Sequence, residues 1–466
     1  MSLLERPAGP KRLGGRAPIA PRTSRSADAT TVLAFFVVLQ FVLPSRLVMN
    51  GLPLSLSAAS IAALGLGALW LCTQMTTTLG AAKGRSPVRT MLFLYPCVLL
   101  ASYASSSMSH LESDEREIGD HTMVTVLALT FVGLALCDGV RSRDRLYFLL
   151  RVIVVCGSVI AAVGILQYLV GFDPTPLMRA PGTHFSSFDN SVGSRDGLSR
   201  AAGTTANPLE FGVLCAMMLP LAIHLAFRAT TSGDRARLWW TCVGLIGAGL
   251  MFSVSRSAIV GLTAAGIALF IGWSAQRRNW MAIAGIGFLV VIKFLSPGLL
   301  STFLSLFQNA KNDDSVQWRT HDYATARELI SQHLWLGRGI GTWYAPKHEV
   351  FDNQYLLTLV DSGILGLAAF LGVFAAGIYA AVRVRLLCGA LPEHDDEASV
   401  PGTDRDLALA LTASLVVIFP TFATFDFAAF PTVSAMAMLL VGLSGALLRI
   451  VTAEVTGAPV DPYAVV

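Results

Sequence analysis

The feature that most restricts the fold of this chain is a series of long, uninterrupted apolar runs. A helix needs about 20 residues to cross a hydrocarbon layer of about 30 Å, and twelve runs come close to or exceed that length. Only 14% of the residues are charged, whereas soluble proteins average about 25%. Barrel strands alternate apolar and polar residues, but these runs are apolar on all sides. The sequence therefore predicts an all-α fold, a polytopic integral membrane helix bundle of about 12 transmembrane helices. The runs are Thr31–Met49, Leu54–Met75, Thr90–Ser106, Thr122–Leu136, Leu146–Val170, Pro208–Phe227, Leu238–Val254, Ser257–Trp273, Trp280–Leu295, Tyr355–Val382, Leu407–Phe425 and Phe430–Ile450.

The basic residues predict how the bundle is oriented. Most of the 34 lysines and arginines fall in the amino-terminal segment and in the loops that share its side of the membrane. Cytoplasmic loops are enriched in Lys and Arg, so we expect both termini in the cytoplasm. The two long loops, 172–206 and 299–353, are then outside.

The runs also predict the domain organisation. We expect a disordered, basic cytoplasmic segment over 1–28, a single transmembrane domain over 29–452, and a cytoplasmic tail over 453–466. Leu391–Asp404 is predicted to be a solvated, disordered cytoplasmic segment. In the second long loop, apolar residues recur at helical spacing and indicate an amphipathic helix on the outer face, ended by a glycine-rich turn. These residues are Val316, Tyr323, Ile330 and Leu334, followed by Gly337, Gly339 and Gly341.

Four polar segments follow one another along the chain near predicted outer helix ends. They are Arg200-Ala-Ala-Gly-Thr-Thr-Ala-Asn207-Pro208, Ser255-Arg256-Ser257, Arg319 with His333-Leu-Trp-Leu-Gly-Arg-Gly-Ile-Gly341, and Asp352-Asn353 with Gly363-Ile-Leu-Gly366. As an ordered set they resemble the O-antigen ligase/polymerase superfamily of Wzy/WaaL-like membrane glycosyltransferases, from about residue 155 to about residue 385. Asp352 stands where the family pattern has a histidine.

The resemblance implies a function in cell-surface polysaccharide assembly. Proteins of this family join a glycan from a polyprenyl pyrophosphate to an acceptor without a metal or a nucleotide, and they resemble the GT-C membrane glycosyltransferases. We therefore expect a metal-independent glycosyltransferase with no cofactor, surrounded by membrane lipids and binding no nucleic acid. Its donor would be a polyprenyl-pyrophosphate-linked glycan and its acceptor a saccharide or a lipid. Its place would be the bacterial cytoplasmic membrane, with the site facing outside.

The charge of this donor explains why arginines are the first candidates. Guanidinium groups bind phosphate oxygens in a bidentate manner and stay charged at all pH values. We expect Arg200 and Arg319 to converge on the pyrophosphate and Asp352 to act as the general base or to hold an arginine in place. The further candidates for substrate binding are Arg256, Asn207, Asn353, His321 and Arg338.

Structural interpretations of the same residues stay open at this stage. Arg256 also fits a helix start or a side chain that reaches the membrane surface, and Asn207-Pro208 fits a plain helix start. Glu210, Asp361 and Asp426 near outer helix ends fit structural partners of arginines.

Two other functions also fit a bundle of this size. A secondary transporter of a small anion or solute is the main alternative, although the helix centres lack the carboxylates of a proton relay. A non-catalytic scaffold for glycan assembly is the third. Within the enzyme family, the sequence does not distinguish a polymerase from a ligase.

Overall fold

The predicted helices are present throughout the described part of the chain. The structure is a computed structural model that describes residues 28–51, 55–76, 85–107, 111–186, 194–195, 198–296, 298–299, 301, 323, 325–344, 347–348, 351–391 and 399–456. Each of the twelve apolar runs corresponds to a helix, with α11 and α12 together forming the eleventh, so the all-α fold class is confirmed. The helices are α1 Ala29–Val42, α2 Ala58–Met75, α3 Pro87–Ser107, α4 Ser113–Gly139, α5 Arg143–Val170, α6 Pro208–Ser232, α7 Ala236–Phe252, α8 Arg256–Gly272, α9 Ala275–Leu295, α10 Gln354–Gly389, α11 Val400–Val416, α12 Ile418–Phe422 and α13 Pro431–Thr456.

Length and composition make the chain a multi-pass membrane protein. Within the described residues, nine helices are long and apolar enough to cross a membrane, with α11 and α12 counted as one span. The three shorter apolar helices, α1, α7 and α8, have 14 or 17 residues. Helices α6 and α13 are the most completely buried and form the centre of the bundle, whereas α9 buries only Ile292.

Short strands order the loops at one end of the bundle. Strand β1, Leu47–Met49, pairs antiparallel with β2, Thr183–Phe185, and β3, Ser194–Arg195, pairs with β4, Leu198–Ser199. The β1–β2 pair joins the loop after α1 to the first long loop. We call this end the long-loop face, and its described segments are 43–51, 111–112, 171–186, 198–207, 253–255, 333–344, 351–353 and 423–430.

Ion pairs join the helices at the opposite face. Asp138 of α4 pairs with Arg89 of α3 at 2.9 Å and accepts a hydrogen bond from Trp70 Nε1 at 3.0 Å. Asp404 of α11 is 1% exposed and pairs with Arg143 of α5 at 2.6 Å. The prediction that Leu391–Asp404 is solvated is therefore wrong at its end, because Val400–Asp404 belongs to α11 and Asp404 is buried against an arginine from a distant helix.

A break in α10 shapes the second long loop. Gly363 has φ 66° and ψ −167°, a conformation that only glycine adopts without strain. The carbonyl groups freed at the break accept hydrogen bonds from Arg338 N at 2.8 Å and Gly339 N at 2.9 Å. In return Ile364 N donates to Leu334 O at 3.0 Å. The break divides α10 into an outer segment, 354–362, and a long spanning segment, 364–389.

The loop helix and the glycine-rich turn are both found where the structure describes them. Residues 325–332 are helical, and Ala326 packs against Phe351 and Val360 at the start of α10. Gly337, Gly339 and Gly341 have φ values of 70°, 134° and 71°, so they form a tight turn as predicted. Val316 lies outside the described residues.

The domain limits are described only in part. The helical region begins at Ala29, and α13 continues to Thr456, four residues past the predicted end of the transmembrane domain at 452. Residues 1–27 and 457–466, which make up most of the two predicted terminal segments, lie outside the described residues.

Candidate functional site

The segment from Arg200 to Asn207 is bound firmly to the surrounding helix ends. Gln167 of α5 accepts hydrogen bonds from Ala202 N at 3.1 Å and Gly203 N at 2.7 Å, and its amide donates to Gly203 O at 3.0 Å. Gly203 has φ 61°, and a Cβ there would collide with Ile160. Thr204 Oγ1 donates to Phe41 O of α1 at 2.7 Å. Hydrogen bonds therefore join this segment, which we call the Arg200 loop, to α1 and α5.

The Arg200 loop contacts the junction between α7 and α8, where Arg256 lies. Ala201 N donates to Phe252 O at 3.1 Å, and Arg200 Nε donates to Ser253 O at 3.3 Å. Ser255 caps α8 by accepting from Ala258 N, and Arg256 is the first residue of that helix. The junction is tight, because Val254 has φ 47°. Two arginines that are 56 positions apart in the sequence therefore belong to adjoining segments.

A third arginine, Arg46, reaches the same loop and was not among the predicted residues. Its guanidinium donates to Ala206 O, and the neighbouring Ser45 N donates to Thr204 O at 2.9 Å. Arg46 follows α1 in a short segment without a motif. Only the tertiary contact between α1 and the Arg200 loop reveals its position.

Asn207 and Glu210 are used to build helix ends. Asn207 is the N-cap of α6 and accepts from Leu209 N at 2.9 Å, with Pro208 at the first helical position. Glu210 is fully buried and accepts from Ala206 N at 2.9 Å and from Thr432 N at 2.7 Å. Its carboxyl group therefore joins the Arg200 loop to the first turn of α13. Among the described residues, no arginine forms an ion pair with Glu210.

Asp352 and Asn353 precede α10 and differ in their surroundings. Asn353 is buried and caps α10, since its Oδ1 accepts from Tyr355 N at 2.9 Å and Leu356 N at 3.3 Å. Asp352 beside it is half-buried. Gln354 Oε1 accepts from Ala428 N at 2.7 Å, which binds the start of α10 to the turn between α12 and α13.

That turn supplies a second carboxyl group, Asp426. Burial, together with the negative charge of Asp352, raises the pKa of Asp426 to about 7. The sequence singled out Asp426 only as a structural partner for an arginine. The structure instead brings it within electrostatic range of another carboxylate.

Helix α8 connects the arginines to the end of the bundle that bears the two carboxyl groups. Gly261 of α8 lies against Val417 and Thr421. Helix α8 begins at the long-loop face with Arg256, and α12 runs toward that face and is followed by Asp426. Arg256 and Asp426 therefore both lie between this contact and the long-loop face. The hydrogen bonds of Glu210 and Gln354 complete the connection from the Arg200 loop to Asp352.

Arg338 belongs to a separate cluster that fastens the second long loop to α4. It donates to Glu115 Oε1 at 2.6 Å, and its guanidinium lies 2.9 Å from His348 Nε2. Lys347 contacts the same carboxylate at 3.4 Å. Trp343 stacks on His348 with ring centroids 4.3 Å apart. Arg338 therefore helps to fasten the second long loop to α4, and its role in substrate binding stays a prediction.

Asp361 organises the glycine-rich turn of the same loop. Its Oδ2 accepts from Gly341 N at 3.0 Å, and its backbone carbonyl accepts from Ser102 Oγ at 3.1 Å and Gly339 N at 2.9 Å. The charge of Arg338 acts on Asp361, but the ion pair of Arg338 is formed with Glu115.

Two predicted residues, Arg319 and His321, lie outside the described residues. Among the residues that are described, no group of three His, Cys, Asp or Glu side chains is placed to hold a metal ion.

The geometry can now be compared with known proteins. Residues 241–371 match the family model described as O-Antigen ligase. The chain contains an O-antigen ligase domain. The match extends from α7 into α10 and includes Arg256, Arg319 and Asp352, whereas Arg200 lies upstream of it. A comparison with curated proteins gives no significant match.

The O-antigen ligase domain confirms the predicted superfamily and defines the kind of process. It assigns the chain to polysaccharide assembly by glycan transfer, with a lipid-linked donor and an acceptor in the membrane. The matched range contains part of the long-loop face, namely the α7–α8 junction, the second long loop and the start of α10.

Proposed function

We propose that this protein transfers or polymerises a polyprenyl-pyrophosphate-linked glycan onto an acceptor at the outer face of the cytoplasmic membrane. The long-loop face would be the outer face, as the distribution of basic residues predicts. The protein would act as a metal-independent glycosyltransferase. Arg200 and Arg256 would bind the pyrophosphate of the donor together with Arg319, which the sequence analysis paired with Arg200.

The observation that carries this proposal is the contact between the Arg200 loop and the residues just before Arg256. Arg200 Nε lies 3.3 Å from Ser253 O, so the two arginines extend from adjoining backbone segments that many hydrogen bonds hold in place. Preorganised cations stabilise charge that develops in a transition state without the cost of reorganising solvent. A pyrophosphate that leaves as a more negative group fits such a site.

The proposed reaction needs only groups at this end of the bundle. The acceptor hydroxyl oxygen attacks the anomeric carbon of the donor glycan, and the bond from that carbon to the pyrophosphate oxygen breaks. The electron pair stays on the leaving pyrophosphate, whose added charge the arginines stabilise. The hydroxyl proton passes to a carboxylate, for which Asp352 is the candidate from the sequence.

Transfer in proteoliposomes from a synthetic polyprenyl-pyrophosphate glycan tests the proposal. Arg200→Ala and Arg256→Ala should each lower kcat/KM by about 30- to 4,000-fold, because loss of a charged hydrogen-bonding partner costs about 2–5 kcal/mol. Lysine at either position should restore only part of the rate, since it cannot form a bidentate contact.

The matched control is Arg179→Ala, which removes another arginine of the long-loop face. Arg179 Nε donates to Thr183 O at 3.1 Å beside the β1–β2 pair, outside the Arg200 loop. It should transfer glycan at nearly the wild-type rate. Wild-type vesicles that take up solutes but never consume the donor would contradict the proposal and favour a transporter.

A further inference from the structure

Two carboxyl groups from separate elements are held together at the long-loop face. Asp352 precedes α10, and Asp426 lies in the turn between α12 and α13. Three hydrogen bonds fix these elements: Gln354 Oε1 accepts from Ala428 N at 2.7 Å, Tyr355 Oη donates to Phe419 O at 2.8 Å, and Ser434 Oγ donates to Phe427 O at 3.1 Å. Both aspartates are only half-buried, so an acceptor can approach them.

We propose that Asp426 is the proton acceptor of the transfer reaction and that Asp352 is its electrostatic partner. This inference rests on the proposed function and deepens it, because it assigns the proton to a group that the family pattern does not predict. In the step, the acceptor O–H bond breaks as the new glycosidic bond forms. The proton moves to a carboxylate oxygen of Asp426 and is released to the outer solution after the products leave.

The surroundings of Asp426 suit this role. A general base works best when its pKa lies near the working pH, and the pKa of Asp426 is raised to about 7 by burial and by the charge of Asp352. An ordinary aspartate with a pKa of about 3.9 would be a much weaker base. Asp352 therefore contributes by keeping a negative charge close to Asp426, a purpose that a neutral histidine would not serve.

The other charged groups at this end come from the elements packed around the turn. Helix α10 supplies Asp352, α8 supplies Arg256 at its first position, and α6 supplies Glu210, which contacts the first turn of α13. Glu210 accepts hydrogen bonds from the backbone of α13 and of the Arg200 loop. Arg256 is the cation at this end that the proposed function assigns to the pyrophosphate.

The pH dependence of turnover at saturating donor tests the inference. In the wild type, turnover should rise as pH increases through about 7, because Asp426 must lose its proton to act as a base. Asp426→Asn should lower turnover by about 10²- to 10⁴-fold and remove this rise. Asp352→Asn should move the rise to lower pH, since it removes the charge that raises the pKa of Asp426.

The matched control is Asp120→Asn, which changes a half-buried carboxylate of α4 that accepts a hydrogen bond from Tyr103 Oη at 2.5 Å. Its turnover and its pH profile should equal those of the wild type. Near-wild-type turnover in Asp426→Asn, with the rise still present, would overturn the inference. Absence of transfer by the wild type would instead overturn the proposed function.

A stability measurement tests the inference independently of the transfer assay. Because the folded state raises the pKa of Asp426, the stability that this group contributes falls as pH rises from about 4 to about 7. In this range the carboxyl group of Asp426 is already ionised in the unfolded chain but still protonated in the folded protein. Asparagine at position 426 removes this effect. The melting temperature of Asp426→Asn relative to wild type should therefore increase between pH 5 and pH 8. A difference that stays constant over this range would overturn the inference even if no transfer were measured.

Discussion

At the scale of single residues, the buried carboxylate of Glu210 connects three parts of the molecule. It accepts hydrogen bonds from Ala206 in the Arg200 loop and from Thr432 and Val433 in the first turn of α13. The first backbone N–H groups of a helix have no partner within the helix, and in a buried helix start a side chain has to satisfy them. Glu210 does this for α13 and positions the Arg200 loop at the same time.

Glu210→Ala should destabilise the protein by about 2–5 kcal/mol, because it leaves buried N–H groups without acceptors. Glu210→Gln should cost less, since one amide oxygen can still accept. Thermal unfolding in detergent measures both effects, and Glu117→Gln on the exposed surface of α4 is the control. Equal melting temperatures for Glu210→Ala and the control would contradict this account.

At the scale of elements, the break in α10 at Gly363 lets the second long loop pack directly against the helix backbone. The glycines of the Gly363-Ile-Leu-Gly366 pattern allow close approach rather than flexibility. A Cβ at Gly363 would collide with the backbone of Trp335, and one at Gly366 would collide with Ser362. The second long loop is thus fixed to α10 through backbone contacts, which also fixes Asp352 at the start of the helix.

Gly363→Ala should lower stability by about 1–3 kcal/mol from backbone strain alone, and more from the collision with Trp335. Transfer activity should fall together with stability, because the loop that precedes Asp352 loses its backbone contacts with α10. Gly372→Ala is the control in the same helix, where a Cβ would meet only the flexible Met91 Sδ at 3.3 Å. If both variants unfold at the same temperature, the break does not hold the loop.

At the scale of the whole molecule, the two faces of the bundle have different characters. Loops with short strands, glycine turns and the candidate site occupy one face. The other face holds ion pairs between helix ends, such as Arg143 with Asp404 and Arg277 with Asp406 at 2.6 Å. Basic residues concentrate on cytoplasmic sides, so we expect the face opposite the long loops in the cytoplasm and the candidate site outside.

Cysteine labelling in intact cells tests this orientation. Leu177→Cys on the long-loop face, where the leucine is 78% exposed, should react with a membrane-impermeant reagent. Asp234→Cys in the exposed turn between α6 and α7 should react only after the cells are opened. The wild type, with its native cysteines, gives the background. The reverse pattern would place the candidate site in the cytoplasm and remove the basis of the proposed function.

Local features of the sequence determined the helices, their caps and the turn. Apolar length alone located the helices, because a membrane span must bury its backbone polar groups within itself. The Asn207-Pro208 pair indicated a helix start, and the glycines at 337–341 indicated a tight turn. These features depend on residues a few positions apart, so a single sequence contains them.

The tertiary structure alone decided which side chains meet. Asp404 pairs with Arg143 across 261 positions, and Glu210 binds Thr432 across 222. Arg338 pairs with Glu115 of α4, and Asp426 lies within electrostatic range of Asp352, although neither pair is adjacent in the sequence. Charges and hydrogen-bonding groups near helix ends fit many partners in the sequence. The packing of α4, α6, α8, α10 and α13 selects one partner for each, because a buried polar group needs a specific contact to offset its lost hydration.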